Sequence, residues 1–358
     1  MFRKPRFWLA GAVVIAVILG AVAVAQWARQ PGAKVTSGDA SPTVAPGPEN
    51  GFVDPGGLGG LGSASASASR SASASGSAGK TSAPAVGPRV GGAFPGPGNT
   101  GIPSGTKLSA YSGPCTIDKA GTVIDAKTVN CDLVIKAANV TIKRSKVNGA
   151  VILDTDVSGS SGWSYTLSDS EVDAGVRQYP AVSYGNMTIL RSNIYGGETS
   201  VQCGEHAVSC TVQDSWLHGQ RIPDNANWHL GGFLSNGGRN IRVKHNTIVC
   251  DAPVNSVGEG CTGDLNLFGD FAVISDAIVD SNLFGATISS SYCLYAGDAA
   301  SKKFPNANHV QIINNVFQIG SNKKCAAYGP VSGFNPAGAG NVWSNNTWED
   351  GTPLHPAN

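Results

Sequence analysis

Side chains able to do chemistry crowd into two stretches of this 358-residue chain. The first, from 218 to 237, holds His218, Arg221, Asp224, Trp228, His229 and Phe233. The second, from 251 to 270, holds Asp251, Glu259, Asp264 and Asp270. A third adds Tyr292, Tyr295, Asp298, Lys302 and Lys303. Asp224, Asp264 and Asp270 supply hard oxygen ligands of the kind that hold Ca²⁺. His218 and His229 offer imidazoles for proton transfer near neutral pH. Trp216, Trp228, Phe233 and Tyr292 offer flat apolar faces on which sugar rings stack. Each has a plainer role too. Asp264 and Asp270 stand next to Gly263 and Gly269, and Asp251 precedes Ala-Pro, all of which are turn signals. The aromatic residues serve equally well as core.

The elements that must position these residues are short and recur. No amphipathic helix is legible; short β-branched runs alternate with Gly, Asn and Asp. Eight segments share one template: apolar, two mixed positions, Ser or Asn, any residue, apolar. The first three are Ile142–Val147, Leu167–Val172 and Ile189–Ile194. Val212–Leu217, Val243–Ile248, Val279–Phe284, Ile312–Phe317 and Trp343–Trp348 complete the set. Their spacing is 25, 22, 23, 31, 36, 33 and 31 residues. Repeats of this size signal a solenoid, in which each coil buries its apolar positions against the next. Coils ~4.8 Å apart let the Ser/Asn side chains bond one another in a ladder. The residue before each ladder position (Arg144, Asp169, Arg191, Asp214, His245) is expected to form a surface column of alternating charge. The lengthened intervals place the first two reactive stretches on neighbouring coils, where they are expected to share one cleft.

This pattern resembles the right-handed parallel β-helix of the pectate-lyase-like superfamily, over about residues 93–358. The resemblance implies an all-β, single-stranded solenoid of about nine to ten coils, with Phe94–Pro103 and Gly113–Ile117 as its entry cap. Members acting on acidic polysaccharides are often lyases that use Ca²⁺ and an Arg or Lys base. The resemblance thus implies Asp224, Asp264 and Asp270 as the Ca²⁺ set and Arg221 as the base, with His218 or His229 as alternatives. Arg221-Ile-Pro223 matches the first half of an Arg-x-Pro-x-x-Arg stretch of pectate lyases, but Ala226 stands where the second Arg belongs. A glycoside hydrolase of the same fold is a second option, although the polygalacturonase motifs Asn-Thr-Asp, Asp-Asp, Gly-His-Gly and Arg-Ile-Lys are absent. A third option is a non-catalytic module binding polysaccharide or cell-surface glycan, or an adhesin.

The net charge of +1 hides an uneven distribution. Residues 92–358 carry 17 bases against 21 acids. That acidic domain lacks the basic face a nucleic-acid partner needs. Residues 1–6 form a basic tail with Arg3, Lys4 and Arg6, and residues 7–27 are an uncharged run flanked by Trp8 and Trp27. The run is long enough to span a bilayer as a signal anchor, with the tail inside and the C-terminal domain outside. Ala21, Ala23 and Ala25 before Gln26 also fit a cleaved signal peptide, which would leave the protein secreted. Residues 28–91, rich in Gly, Ser, Ala and Pro, read as a disordered linker. All eight Cys follow it, as expected of disulfides in an exported domain. Pairing neighbours gives Cys115–Cys131, Cys203–Cys210, Cys250–Cys261 and Cys293–Cys325.

Overall fold

The computed structural model describes residues 93–356. The basic tail, the anchor and the linker lie outside the described residues. Among those described, no helix is long and apolar enough to cross a membrane. The only helical element there is a single 3₁₀ turn, Ser160–Gly162.

The chain folds into short strands that fall in rotation into three parallel sheets, of ten, nine and nine strands. The first sheet starts at Ser109–Ala110, the second at Thr116–Ile117 and the third at Val123–Asp125. Each returning strand pairs with the one a coil earlier. This is the architecture of a parallel β-helix, with nine full coils and a closing strand, Thr347–Trp348.

The inward positions stack into three apolar columns. In the first sheet the register links Val129, Val147, Val172, Ile194, Leu217, Ile248, Phe284 and Phe317. The third sheet lines up Ile124, Ile142, Leu167, Ile189, Val212, Val243, Val279 and Ile312. In the second the column passes from Val151 and Val182 through Val201, Phe233, Leu265 and Leu294 to Val331. Burying each such side chain contributes roughly 1.5–3 kcal/mol. Phe233 belongs to this column at 0% exposure, so it is core and does not stack on substrate as expected.

The repeated template is the corner from the third sheet to the first. The residue before each Ser/Asn adopts a left-handed backbone, with φ between 47° and 60° from Arg144 through Asn345. The next residue then turns inward. Ser145, Ser170, Ser192, Ser215, Asn246, Asn282, Asn315 and Asn346 form a buried ladder. Each of the first seven donates its backbone N–H to the side-chain oxygen of the next, at 2.9–3.4 Å. Asn adds a second bond, Nδ2 to a carbonyl one coil earlier, as in Asn282 to Val243 at 2.9 Å. The polar groups exposed by the sharp turn are therefore satisfied inside the protein. The charge column forms on the outside: Arg191 grips Asp169 with two bonds and His245 Nδ1 meets Asp214 at 2.6 Å. Arg144 takes Asp125.

All four neighbour disulfides form, with Cα separations of 5.7–6.2 Å. The expected entry cap does not form as one unit. Gly113–Ile117 does lead into the first coil, but Phe94 lies 5.8 Å from the His245 ring and Gly101 N–H donates to the Arg191 carbonyl at 2.9 Å. Phe94–Gly101 is thus a strap along the corner. At the other end, Trp343 Nε1–H donates to the Leu354 carbonyl at 2.8 Å, and Thr347 bridges Pro353, folding the C-terminal residues back over the last coil.

Candidate functional site

Strands interrupt both reactive stretches. Leu230–Ser235 and Cys261–Leu267 are neighbours in the second sheet. They split each stretch into a loop before the sheet and a loop after it. Asp224, Trp228 and His229 lie before Leu230, whereas Asp270 lies after Leu267, at the opposite strand end.

The three carboxylates chosen for Ca²⁺ therefore do not meet, and do not form a group with ligand atoms within 4.8 Å. Asp224 accepts the Ser256 N–H at 3.0 Å and joins two loops. Asp270 is paired with Lys302 at 2.9 Å. Asp264 is fully buried, with one oxygen accepting the Cys250 N–H at 2.8 Å and the other without a partner. Burial raises its pKa well above the usual range, which favours the neutral acid. Its oxygens come near Cys293 and Cys325 Sγ, but those sulfurs form a disulfide and carry no thiolate. The residues do not fit a Ca²⁺ site, and no step runs through one.

The aromatic and imidazole candidates scatter as well. Trp228 packs with Ile222 on a small cluster of Leu230, Cys250, Ala252 and Cys261. His229 is exposed, 3.5 Å from Glu259. Tyr292 is half-buried on the second sheet, 5.2 Å from Tyr295 and 5.9 Å from Tyr328.

His218 and Arg221 do converge, on the outer face of the first sheet. Register places Lys146, Glu171, Asn193 and Trp216 in one outward row. Asn148, Asp173 and Tyr195 form the row beside it, and His218 follows Leu217 into that row on the next coil. His218 stacks on Trp216 with centroids 3.5 Å apart and planes 12° from parallel, and lies 5.5 Å from Tyr195. His218 Nε2–H donates to Asn193 Oδ1 at 2.8 Å, which leaves the Nδ1 lone pair with no hydrogen-bond partner in the protein. Burial lowers its pKa, against the pull of Asp251, so the imidazole is neutral at physiological pH.

The chain turns at Gly219, whose φ of 62° suits glycine and whose N–H donates to Asp251 at 2.7 Å. That turn carries Arg221 back over the sheet. Its guanidinium lies 5.7 Å from the Tyr195 centroid and donates to Asp173 at 2.9 Å. A guanidinium does not give up its proton in proteins. Arg221 is therefore a cation for holding an anion and not the base expected of it. The Tyr195 hydroxyl donates to Glu171, which also accepts the Lys146 ammonium at 2.8 Å. Burial pushes Glu171 up, but these two donors more than offset it and hold the carboxyl below its ordinary range.

Glu171, Asp173, Asn193 and Tyr195 were missed because they lie inside the regular repeat. The signal was present: they occupy the first and third positions after each ladder residue, which in a strand face outward together.

No known family model, no curated protein and no solved structure matches the chain.

Proposed function

We propose that the outer face of the first sheet binds an acidic polysaccharide and cleaves it by β-elimination. The observation that carries this reading is the convergence of neutral His218, its free Nδ1, the Arg221 cation and the Trp216 and Tyr195 rings on one face. Arg221 uses two of its five N–H groups on Asp173 and keeps the others for a uronate carboxylate. That contact withdraws charge from the carboxylate and acidifies the carbon next to it. His218 Nδ1 takes the proton from that carbon. The C–H electrons form a carbon–carbon double bond, the bond to the glycosidic oxygen breaks, and the leaving oxygen takes a proton from water. Imidazolium then returns its proton to solvent.

The three-sheet solenoid and its Ser/Asn ladder support membership of the pectate-lyase-like superfamily, with the coils right-handed as connections between parallel strands nearly always are. The four disulfides support display outside the cell, on the anchor at 7–27 or after its removal.

The test is a panel of uronate polysaccharides incubated with the full chain and a chelator, read by absorbance of the unsaturated product. H218Q is expected to slow product formation ~10²–10⁴-fold and keep binding, while R221K weakens binding. Product formation by H218Q at the parent's rate would sink the mechanism. Binding without product from any polymer would favour a second reading, a glycan-binding module. One observation favours that reading: both cations of the face are already paired, Arg221 with Asp173 and Lys146 with Glu171.

A further inference from the structure

A second cluster of metal-ligating side chains lies at the corner from the second sheet to the third, on loops the sequence did not single out. We propose that Asp156, Glu205 and His206 bind a divalent cation of the zinc class. One ligand atom from each lies within 4.8 Å of the others, and His206 Nδ1 is 2.8 Å from Asp156 Oδ1. In a tetrahedral zinc site with ligands at 2.0–2.2 Å, neighbouring donors stand ~3.4 Å apart. Small side-chain rotations reach that spacing.

The loops are built to hold these donors together. Asp156 follows the strand Val151–Ile152, while Glu205 and His206 follow Thr199–Cys203, two coils further on. The intervening coil turns at Gly185, where a Cβ would strike Ala207 and come 3.2 Å from Thr155. A Cβ on Gly204 would lie 2.8 Å from Thr155 Oγ1. Glycine at both positions lets the outer loops touch across the middle one. Asn186, 6% exposed, then locks them: its Nδ2 donates to the Ser160 carbonyl at 2.9 Å and its Oδ1 accepts the Val208 N–H at 2.7 Å. The donor positions are set by buried bonds, although the donors themselves are on the surface.

The chemistry of the set selects the ion. Ca²⁺ takes six to eight oxygens. One imidazole with two carboxylates suits zinc and its neighbours and leaves a coordination position open. That position has somewhere to face: Glu205 and His206 also line a cleft of about 420 Å³, whose lining includes Arg239 and Asn240. A ligand oxygen on the ion would share the cleft with the Arg239 cation, so the site suits a small anion or an anionic group of a larger ligand.

The inference is independent of the first-sheet reading. Its test uses the untagged full chain, freed of metal by chelator and titrated calorimetrically with Zn²⁺ alone and with Ca²⁺ alone. The expected result is one saturable Zn²⁺ site per chain, no matching Ca²⁺ site, and at least about a tenfold loss of Zn²⁺ affinity in each of E205Q and H206Q. Both residues are on the surface, and unchanged unfolding temperatures in chelator would show that the variants fold. No saturable Zn²⁺ binding up to ~1 mM, or a double variant that binds as the parent does, overturns the proposal.

Discussion

His218 and Asp264 are both displaced from their ordinary titration by burial, with opposite consequences. Burial holds His218 neutral by lowering its pKa. In the proposed elimination the neutral base therefore persists below the usual histidine value of about 6.5, and the acid limb of the rate is expected to have its midpoint below that value. A pH profile of product formation checks this; an acid limb with its midpoint at or above about 6.5 would contradict it. Replacement by Gln should cost ~10²–10⁴ in rate, the usual contribution of a positioned base. For Asp264 the folded pKa is raised, and the unfolded carboxyl ionises near 3.9. Above that pH the unfolded chain binds fewer protons than the folded one. Stability owed to this group is complete below ~4 and is lost as pH rises towards the folded value, by at most about 1.4 kcal/mol per pH unit. D264N should flatten that dependence in thermal unfolding at a series of pH values; identical profiles for the two proteins would refute it. The face around His218 was half legible. His218 and Arg221 drew notice as ionisable residues beside an insertion, whereas Glu171 and Asp173 were hidden in ordinary strands, where only the sheet register shows which way they point.

The corner with its ladder is the element most completely written in the sequence, because one small polar residue recurs between two apolar ones. Its Asn half does more than its Ser half. Asn282 Oδ1 accepts the Asn246 N–H at 2.9 Å, and its Nδ2 donates to Val243 and Asn315. Ser192 Oγ accepts one N–H, from Ser170 at 3.4 Å, and donates to Leu190. An orphaned buried N–H costs ~1–3 kcal/mol. N282A is thus expected to lose ~2–4 kcal/mol in denaturant unfolding, and S192A less. Equal losses would show that the second Asn bond adds nothing. The sequence misled at Leu230–Ser235 and Cys261–Leu267. Gly231, Gly232 and Gly263 make these strands look like loop. Packing requires the glycines: a Cβ on Gly231 would sit 2.5 Å from Asn266 Nδ2, and one on Gly232 2.6 Å from the Asp264 carbonyl. Once those segments are strands, the single cleft divides in two, and the carboxylates at its two ends part.

Across the described fold, the two ends of the stack are treated differently. The C-terminal residues close the last coil through Trp343 and Leu354. The N-terminal strap covers no end: it meets the corner at His245, crosses Arg191, and reaches the first strand only at Ser109. A load arriving through residue 93 therefore enters the stack at its flank and not at its tip. Peeling Phe94–Gly101 breaks isolated contacts one at a time, whereas the coils beneath share whole registers of bonds that must fail together. The strap works as a mechanical fuse: under tension, residues 94–108 should pay out first, lengthening the chain by up to ~50 Å before any coil opens. Stretching single molecules between residue 93 and the C-terminus is expected to show this early, low-force step, and F94A to lower its force while leaving the later coil-opening events in place.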